Sequence, residues 1–222
     1  MTPRLRLNVL CSVVTAWCRV QGPGRIGAGA KLDLVVVPVR FLGRALRLWQ
    51  PEAAFGHIQN QAVGYLFPMG PFFALGDLAG VPMWIVQRLW MAAILVLALR
   101  GAVRVAEELD IGTPSTRLVG GAAYALSPAI VVFLAHTSGG LVPAAALPWI
   151  LLPLVRGSRQ GSPRQAAARS ALVVAAMGAV NAASSVGVLP LPFLWLLTRQ
   201  RGPRRRRLLL WWCALTPVAC LW

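Results

Sequence analysis

From Val81 to Leu99 the chain reads VPMWIVQRLWMAAILVLAL, and Arg88 is the one charge in it. A run of that length is a candidate transmembrane helix, since about 20 apolar residues are needed to cross a bilayer core. Comparable runs recur at Leu7–Val20, behind Arg4 and Arg6, and at Leu118–His136, Leu141–Val155, Ala171–Leu197 and Leu208–Trp222. Hydrophobic residues make up 57% of the chain and charged residues 13%, where a soluble domain carries about 25% charge. Ala171–Leu197 is too long for one untilted helix and short for two, so its NAASSVGVLPLP segment reads as a break between two short helices. A signal peptide is the alternative reading of Leu7–Val20. No A-x-A site follows it, and Trp17 before Cys18 suits lipoprotein processing poorly, so an uncleaved first helix is expected. These runs predict an all-α polytopic membrane protein, one unit over 1–222 with about seven helical passes, the last truncated.

Net charge is +16, from 22 basic and 6 acidic residues. Such a balance can mark a nucleic-acid binder, but here the arginines punctuate apolar runs instead of coating a solvated domain, and no nucleic-acid partner is expected. The basic clusters are Arg100, Arg104 and Arg117; Arg156, Arg159, Arg164 and Arg169; and Arg199, Arg201 and Arg204 to Arg207. No Lys or Arg lies between His136 and Leu141 or between Asn181 and Val188. With a cytoplasmic N-terminus, every arginine cluster falls on the cytoplasmic side, as the positive-inside rule asks. The same parity places 21–80 outside as the first external loop. Glu107, Glu108 and Asp110 then balance charge in a cytoplasmic loop. The four cysteines, Cys11, Cys18, Cys213 and Cys220, form two i, i+7 pairs in apolar runs and read as core packing, with metal or disulfide as alternatives.

The external segment gathers most of the polar variety. KLDLVVVPVRFLGRALRLWQPEAAFGHIQNQAVGYLFPMGPFF holds the single lysine, Lys31, with Asp33, Glu52 and His57. A carboxylate at a membrane interface is poorly solvated, and poor solvation strengthens it as a base. Asp33 in KLDL is the candidate; capping, or pairing with Lys31, is the structural alternative. Glu52 follows Pro51 at a helix start, and Asp77 in LGDLAGVP suits a cap or turn. Arg40, Arg44 and Arg47 share a helical face in RFLGRALRLW. That pattern predicts an interfacial helix touching anionic headgroups or a lipid-linked phosphate. His57, Gln59, Asn60, Gln61 and Tyr65 offer donors and acceptors suited to sugar hydroxyls, among Gly and Pro residues that break helices. Arg88 is a functional candidate because it lies within a span, with snorkelling to the nearby interface as the alternative.

KLDLVVVPVRFLGRALRLWQPEAAFGHIQNQAVGYLFPMGPFFALGDLAGVPMWIVQRLW resembles the amino-terminal part of the actinobacterial, mycobacterial-type α-(1→3)-arabinofuranosyltransferases. RVAEELDIGTPSTRLVGGAAYALSP continues the likeness, which extends more weakly through PWILLPL and NAASSVGVLPLPFLWLLTR. The resemblance implies a GT-C membrane glycosyltransferase bundle in the plasma membrane, with its active site on the external face. It implies a polyprenyl-phosphate sugar donor, decaprenylphosphoryl arabinose, and an arabinan acceptor of the cell wall. It also places the catalytic acid of such enzymes at Asp33, in the first external loop. Gly29 and Ala30 stand where the family often has an acid and a hydroxyl residue, which argues against a second acid or a bound metal; a divalent cation stays open as a cofactor. The family's proteins are several times longer. This chain is therefore expected to be a fragment, split product or truncated form, with the rest of the transferase as its partner.

The mechanism implied is a single displacement with inversion. Asp33 takes the proton of the acceptor hydroxyl, and Arg40 or Arg44 stabilises the leaving phosphate. Lys31, Arg88 and the His57–Tyr65 group complete the substrate contacts. Two other classes remain: an inactive membrane scaffold that keeps the fold, and a transporter component. The latter would spread polar residues through several spans at mid-membrane, where this sequence offers little beyond Arg88 and Asn181.

Overall fold

The computed structural model describes residues 2–27, 31–47, 49–51, 55–58, 62–134, 136–178 and 180–221, with only the backbone of His57. The chain opens with α1 (Pro3–Val20). Two short helices follow, α2 (Leu32–Val36) and α3 (Pro38–Ala45). A two-residue antiparallel ladder pairs β1 (Trp49–Gln50) with β2 (His57–Ile58), in register Trp49–Ile58 and Gln50–His57. A 3-10 turn at Val63–Leu66 leads into α4 (Met69–Leu78). The long α5 (Met83–Glu108), then α6 (Pro114–Ala125) and α7 (Pro128–Leu134), come next. After a 3-10 turn at Ser138–Leu141 come α8 (Val142–Arg159) and α9 (Pro163–Ala176). The chain ends with α10 (Ala182–Gly187), α11 (Pro190–Thr198) and α12 (Pro203–Ala219). The small ladder is the departure from the expected all-helical chain.

Local chemistry starts these helices. Pro3, Pro38, Pro114, Pro163, Pro190 and Pro203 stand in first turns, where a missing N–H costs nothing. Thr2, Ser162 and Asn181 accept an N–H as N-caps, and Thr113 closes a capping box with Thr116. The Leu118–His136 run breaks at Leu126–Ser127, ahead of Pro128, so α6 and α7 meet at 46°.

Around α5 pack α1, α4, α6 and α8, while α9 and α12 complete a second group against α8. Close approach needs small residues. A Cβ on Gly101 of α5 would lie 2.6 Å from the Trp149 indole of α8, and one on Gly121 of α6 would lie 2.6 Å from Val103 of α5. Polar groups between helices are satisfied across them. The Tyr124 hydroxyl donates to Ala144 O (2.6 Å), and the Trp149 indole to Leu97 O (2.9 Å). Buried Ser170 of α9 donates to Ile150 O (2.8 Å) and accepts from the Trp212 indole (2.9 Å), joining three helices.

By length and composition α5 and the continuous Ser138–Arg159 segment are fit to cross a membrane, and the bent α6–α7 pair makes a third. That is fewer than the seven passes read from hydropathy. The Ala182–Thr198 stretch is apolar without the length, and α1 and α12 carry arginines within their own length. Helix α5 also outruns its apolar stretch. Arg100 and Arg104, expected in a loop, are helical, as are Glu107 and Glu108. Cys11 and Cys18 are buried on one face of α1 with Leu7 and Val14, as their spacing predicts. Cys213, expected in a core, is exposed instead, because α12 buries the face carrying Leu208, Trp212 and Thr216.

Candidate functional site

Asp33 lies in the first turn of α2, behind Lys31 at the N-cap position. Helices α2 and α3 meet at Val37, so Arg44, near the end of α3, turns back toward Asp33. Arg44 Nη2 donates to Asp33 Oδ2 at 3.0 Å. Beneath them Leu34, Val35, Phe41 and Ala45 are buried, which fixes both helices by their apolar sides. The ring of Tyr65 stands edge-on to Phe41, with centroids 5.9 Å apart, and is itself buried. Burial pushes the Tyr65 phenol above its ordinary range, and the nearby Asp33 carboxylate pushes it in the same direction.

The Asp33 side chain is 46% exposed and in contact with the Arg44 cation. One expectation changes. Arg47 was expected on one face with Arg40 and Arg44. The helix ends at Ala45, and the chain turns through Leu46 into β1, so Arg47 lies beyond it. Arg40 and Arg44 remain one turn apart on α3.

Arg44 has unused capacity. Its Nε is buried without a hydrogen-bond partner among the described residues. A buried donor left unpaired costs about 1–3 kcal/mol, and an anionic oxygen at that position would satisfy it. The described residues offer a divalent cation little: no three His, Cys, Asp or Glu side chains come together among them, and Arg44 already holds the Asp33 carboxylate. Glu52, Gln59, Asn60 and Gln61, with the His57 side chain, lie outside the described residues. Asp77 closes a turn, its carbonyl accepting Gly80 N–H at the end of α4.

Arg88 is placed apart from this pair in its bonding. Its Nε donates to Gln21 O (2.8 Å) and its Nη2 to Arg25 O (3.3 Å). Beside it, Gln87 is buried and grips Gly27 at two points, accepting from Gly27 N and donating to Gly27 O, both at 2.9 Å. Residues 87 and 88 thus fasten the segment that leads from α1 to Asp33. Gln87 escaped the sequence reading; its sole signal there is that of an amide inside an apolar run.

Comparison with known proteins follows from this geometry. A family model described as "Alpha-(1->3)-arabinofuranosyltransferase, N-terminal GT-C domain" matches residues 13–222. The chain is 45% identical over 222 residues to an alpha-(1->3)-arabinofuranosyltransferase of Mycobacterium tuberculosis (strain ATCC 25618 / H37Rv), covering 97% of this chain and 16% of the relative. It is 47% identical over 203 residues to one of Mycolicibacterium smegmatis (strain ATCC 700084 / mc(2)155), covering 91% of this chain and 14% of the relative. The cryo-EM structure of arabinofuranosyltransferase AftD from Mycobacteria superposes with a TM-score of 0.91 at 42% identity, over 99% of this chain and 17% of that one. The chain thus spans about a sixth of the length of the curated relatives it matches.

Proposed function

This chain belongs to the N-terminal GT-C domain family of the α-(1→3)-arabinofuranosyltransferases, and on that premise we propose that it carries the proton-accepting and phosphate-holding side of a plasma-membrane glycosyltransferase. The donor is a polyprenyl-phosphate sugar, decaprenylphosphoryl arabinose, and the acceptor is a hydroxyl of cell-wall arabinan. The rest of a longer transferase supplies what these helices lack.

The observation that carries the reading is the Asp33–Arg44 pair beside the Phe41–Tyr65 ring contact, with the Arg44 Nε unpartnered among the described residues. Arg44 occupies Asp33 Oδ2 and leaves Oδ1 to an acceptor hydroxyl. As the hydroxyl oxygen attacks the anomeric carbon, its proton passes to Asp33, and the bond to the prenyl phosphate breaks with inversion. Negative charge grows on the leaving phosphate. Arg44 is within the same group of side chains, and Arg40 one turn earlier, to stabilise it. Tyr65, protonated at neutral pH, adds a hydroxyl beside the carboxylate. Arg88 and Gln87 hold the connecting segment that delivers Asp33.

The test places this chain in the corresponding segment of the Mycolicibacterium smegmatis relative and measures arabinofuranose transfer from the prenyl-linked donor in membranes. Asp33→Asn is expected to lower turnover by at least 100-fold, with the protein still inserted. Near-normal transfer by that variant rejects Asp33 as the base. A chimera inactive with Asp33 intact, where the parent relative is active, favours the inactive scaffold.

A further inference from the structure

A groove runs along the seam of α8 and α9. It is made of two cavities of about 620 and 540 Å³ that share Trp149 and Val173 in their walls. The larger one opens among Arg156, Gln160, Gln165 and Arg169. The smaller continues over Leu97, Ala146, Leu172 and Ala176, with almost no polar surface. One end is cationic and the other apolar, and Leu172 and Ala176 are exposed along its lip.

The cationic end is not consumed by internal pairing. Arg169 is exposed and has no partner among the described residues. Arg156 meets Glu108 at 2.6 Å, yet its side chain stays 54% exposed. Two other arginines of that end are bonded to backbone instead: Arg204 donates to Gly157 O and Gly161 O, and Arg205 to Leu196 O. From Arg169 to Ala176 helix α9 rises about 10 Å, and the groove beside that rise is apolar. The mouth sits where α8 joins the last turn of α5 through Glu108, whereas the segment leading to Asp33 is tied to Gln87 and Arg88 near the start of α5. The cationic mouth is therefore a separate place from Asp33, while the apolar end of the groove reaches Pro68 and Trp90.

We propose that this groove binds an anionic glycerophospholipid, its phosphate between Arg169 and Arg156 and one acyl chain laid past Trp149 along Leu172 and Ala176. Charge complementarity selects the head, and the apolar trough takes the chain. A zwitterionic lipid neutralises the arginines less, and a free phosphate leaves the trough uncovered.

The full chain, purified in mild detergent, is mixed with phosphatidylglycerol or phosphatidylcholine, and retained lipid is counted by native mass spectrometry. Phosphatidylglycerol is expected to be retained over phosphatidylcholine. Arg169→Gln should weaken that retention roughly five-fold. Arg207→Gln removes the same charge outside the groove and should leave retention unchanged. Ala176→Trp, which fills the trough without touching charge, should lower retention as well; circular dichroism checks that the variants remain helical. Three results overturn the proposal: equal retention of the two lipids, as for a groove seated by another helix; equal losses from Arg169→Gln and Arg207→Gln; or displacement of the lipid by inorganic phosphate.

Discussion

Arg44 and Tyr65 are two polar side chains in an apolar chain, and both answer to the same carboxylate. Arg44 touches Asp33, while Tyr65 is buried within the influence of the same carboxylate. Its phenol is held above the ordinary value of about 10, first by burial and then by Asp33. The native state therefore disfavours phenolate. Stability is full below pH ~10 and declines as pH rises through the raised native value. Titrating tyrosinate absorbance in a Tyr124→Phe background reads Tyr65 alone, since the chain has 2 tyrosines. Adding Asp33→Asn should lower the midpoint, leaving it above 10 because burial remains. A midpoint that does not move would separate Tyr65 from Asp33. Asp33, Arg44 and Tyr65 stand out as candidates in the sequence, because polar side chains near apolar spans are few and need a reason. The contact between Asp33 and Arg44 was not: it depends on the bend at Val37, which brings residues 11 apart together. Gln87 was illegible for the same reason on a larger scale, since it bonds to a backbone 60 residues away.

Helices obey two limits that hydropathy merges into one. The apolar stretch of α5 ends at Leu99, but the helix runs on to Glu108. Arg100 reaches back to Asn8 Oδ1 (3.0 Å) on α1, and Arg104 meets Glu107 one turn on (3.0 Å). Arginine and glutamate are good helix formers, so loss of hydrophobicity marks where a membrane could end and not where the helix does. The reverse holds for α3. Its pattern promised a third arginine on the face, but the chain left the helix at Ala45 to pair β1 with β2, and no periodicity announces a two-residue ladder. Between elements the most exacting contact is Ser170, which links α8, α9 and α12 through one hydroxyl. Ser170→Ala strands the buried Trp212 N–H and is expected to cost about 2 kcal/mol, read as a fall in the unfolding midpoint. Trp212→Phe removes that donor. The double variant should therefore lose less than the two single losses added; strict additivity would show that the bond contributes nothing.

At the scale of the whole molecule, the two ends of α5 differ in chemistry, and that difference carries the topology. Near its start lie Arg88, Gln87 and the fastened segment leading to Asp33; near its end lie Glu108, Arg156 and Arg159, with the arginine-bearing connections of α8, α9, α11 and α12. Arg159 donates to the Glu108 carbonyl, so the second end is closed by cross-helix pairing as well as by charge. The connections at 136–141 and 181–188 hold no Lys or Arg. The proposed orientation keeps the arginine-rich end in the cytoplasm, as the positive-inside rule asks. Proposed orientation and proposed chemistry then stand together, because a prenyl-phosphate donor on the external face is useless to an Asp33 on the internal one. The expected outcome is specific. In cells expressing the chain, an impermeant maleimide should label Leu32→Cys, whose side chain is exposed at the start of α2. It should label Gln160→Cys, exposed between α8 and α9, only after permeabilisation, both scored against the chain with its own four cysteines. The opposite pattern would put the Asp33–Arg44 pair in the cytoplasm and remove the basis for an external transferase, while leaving the helix packing as it stands.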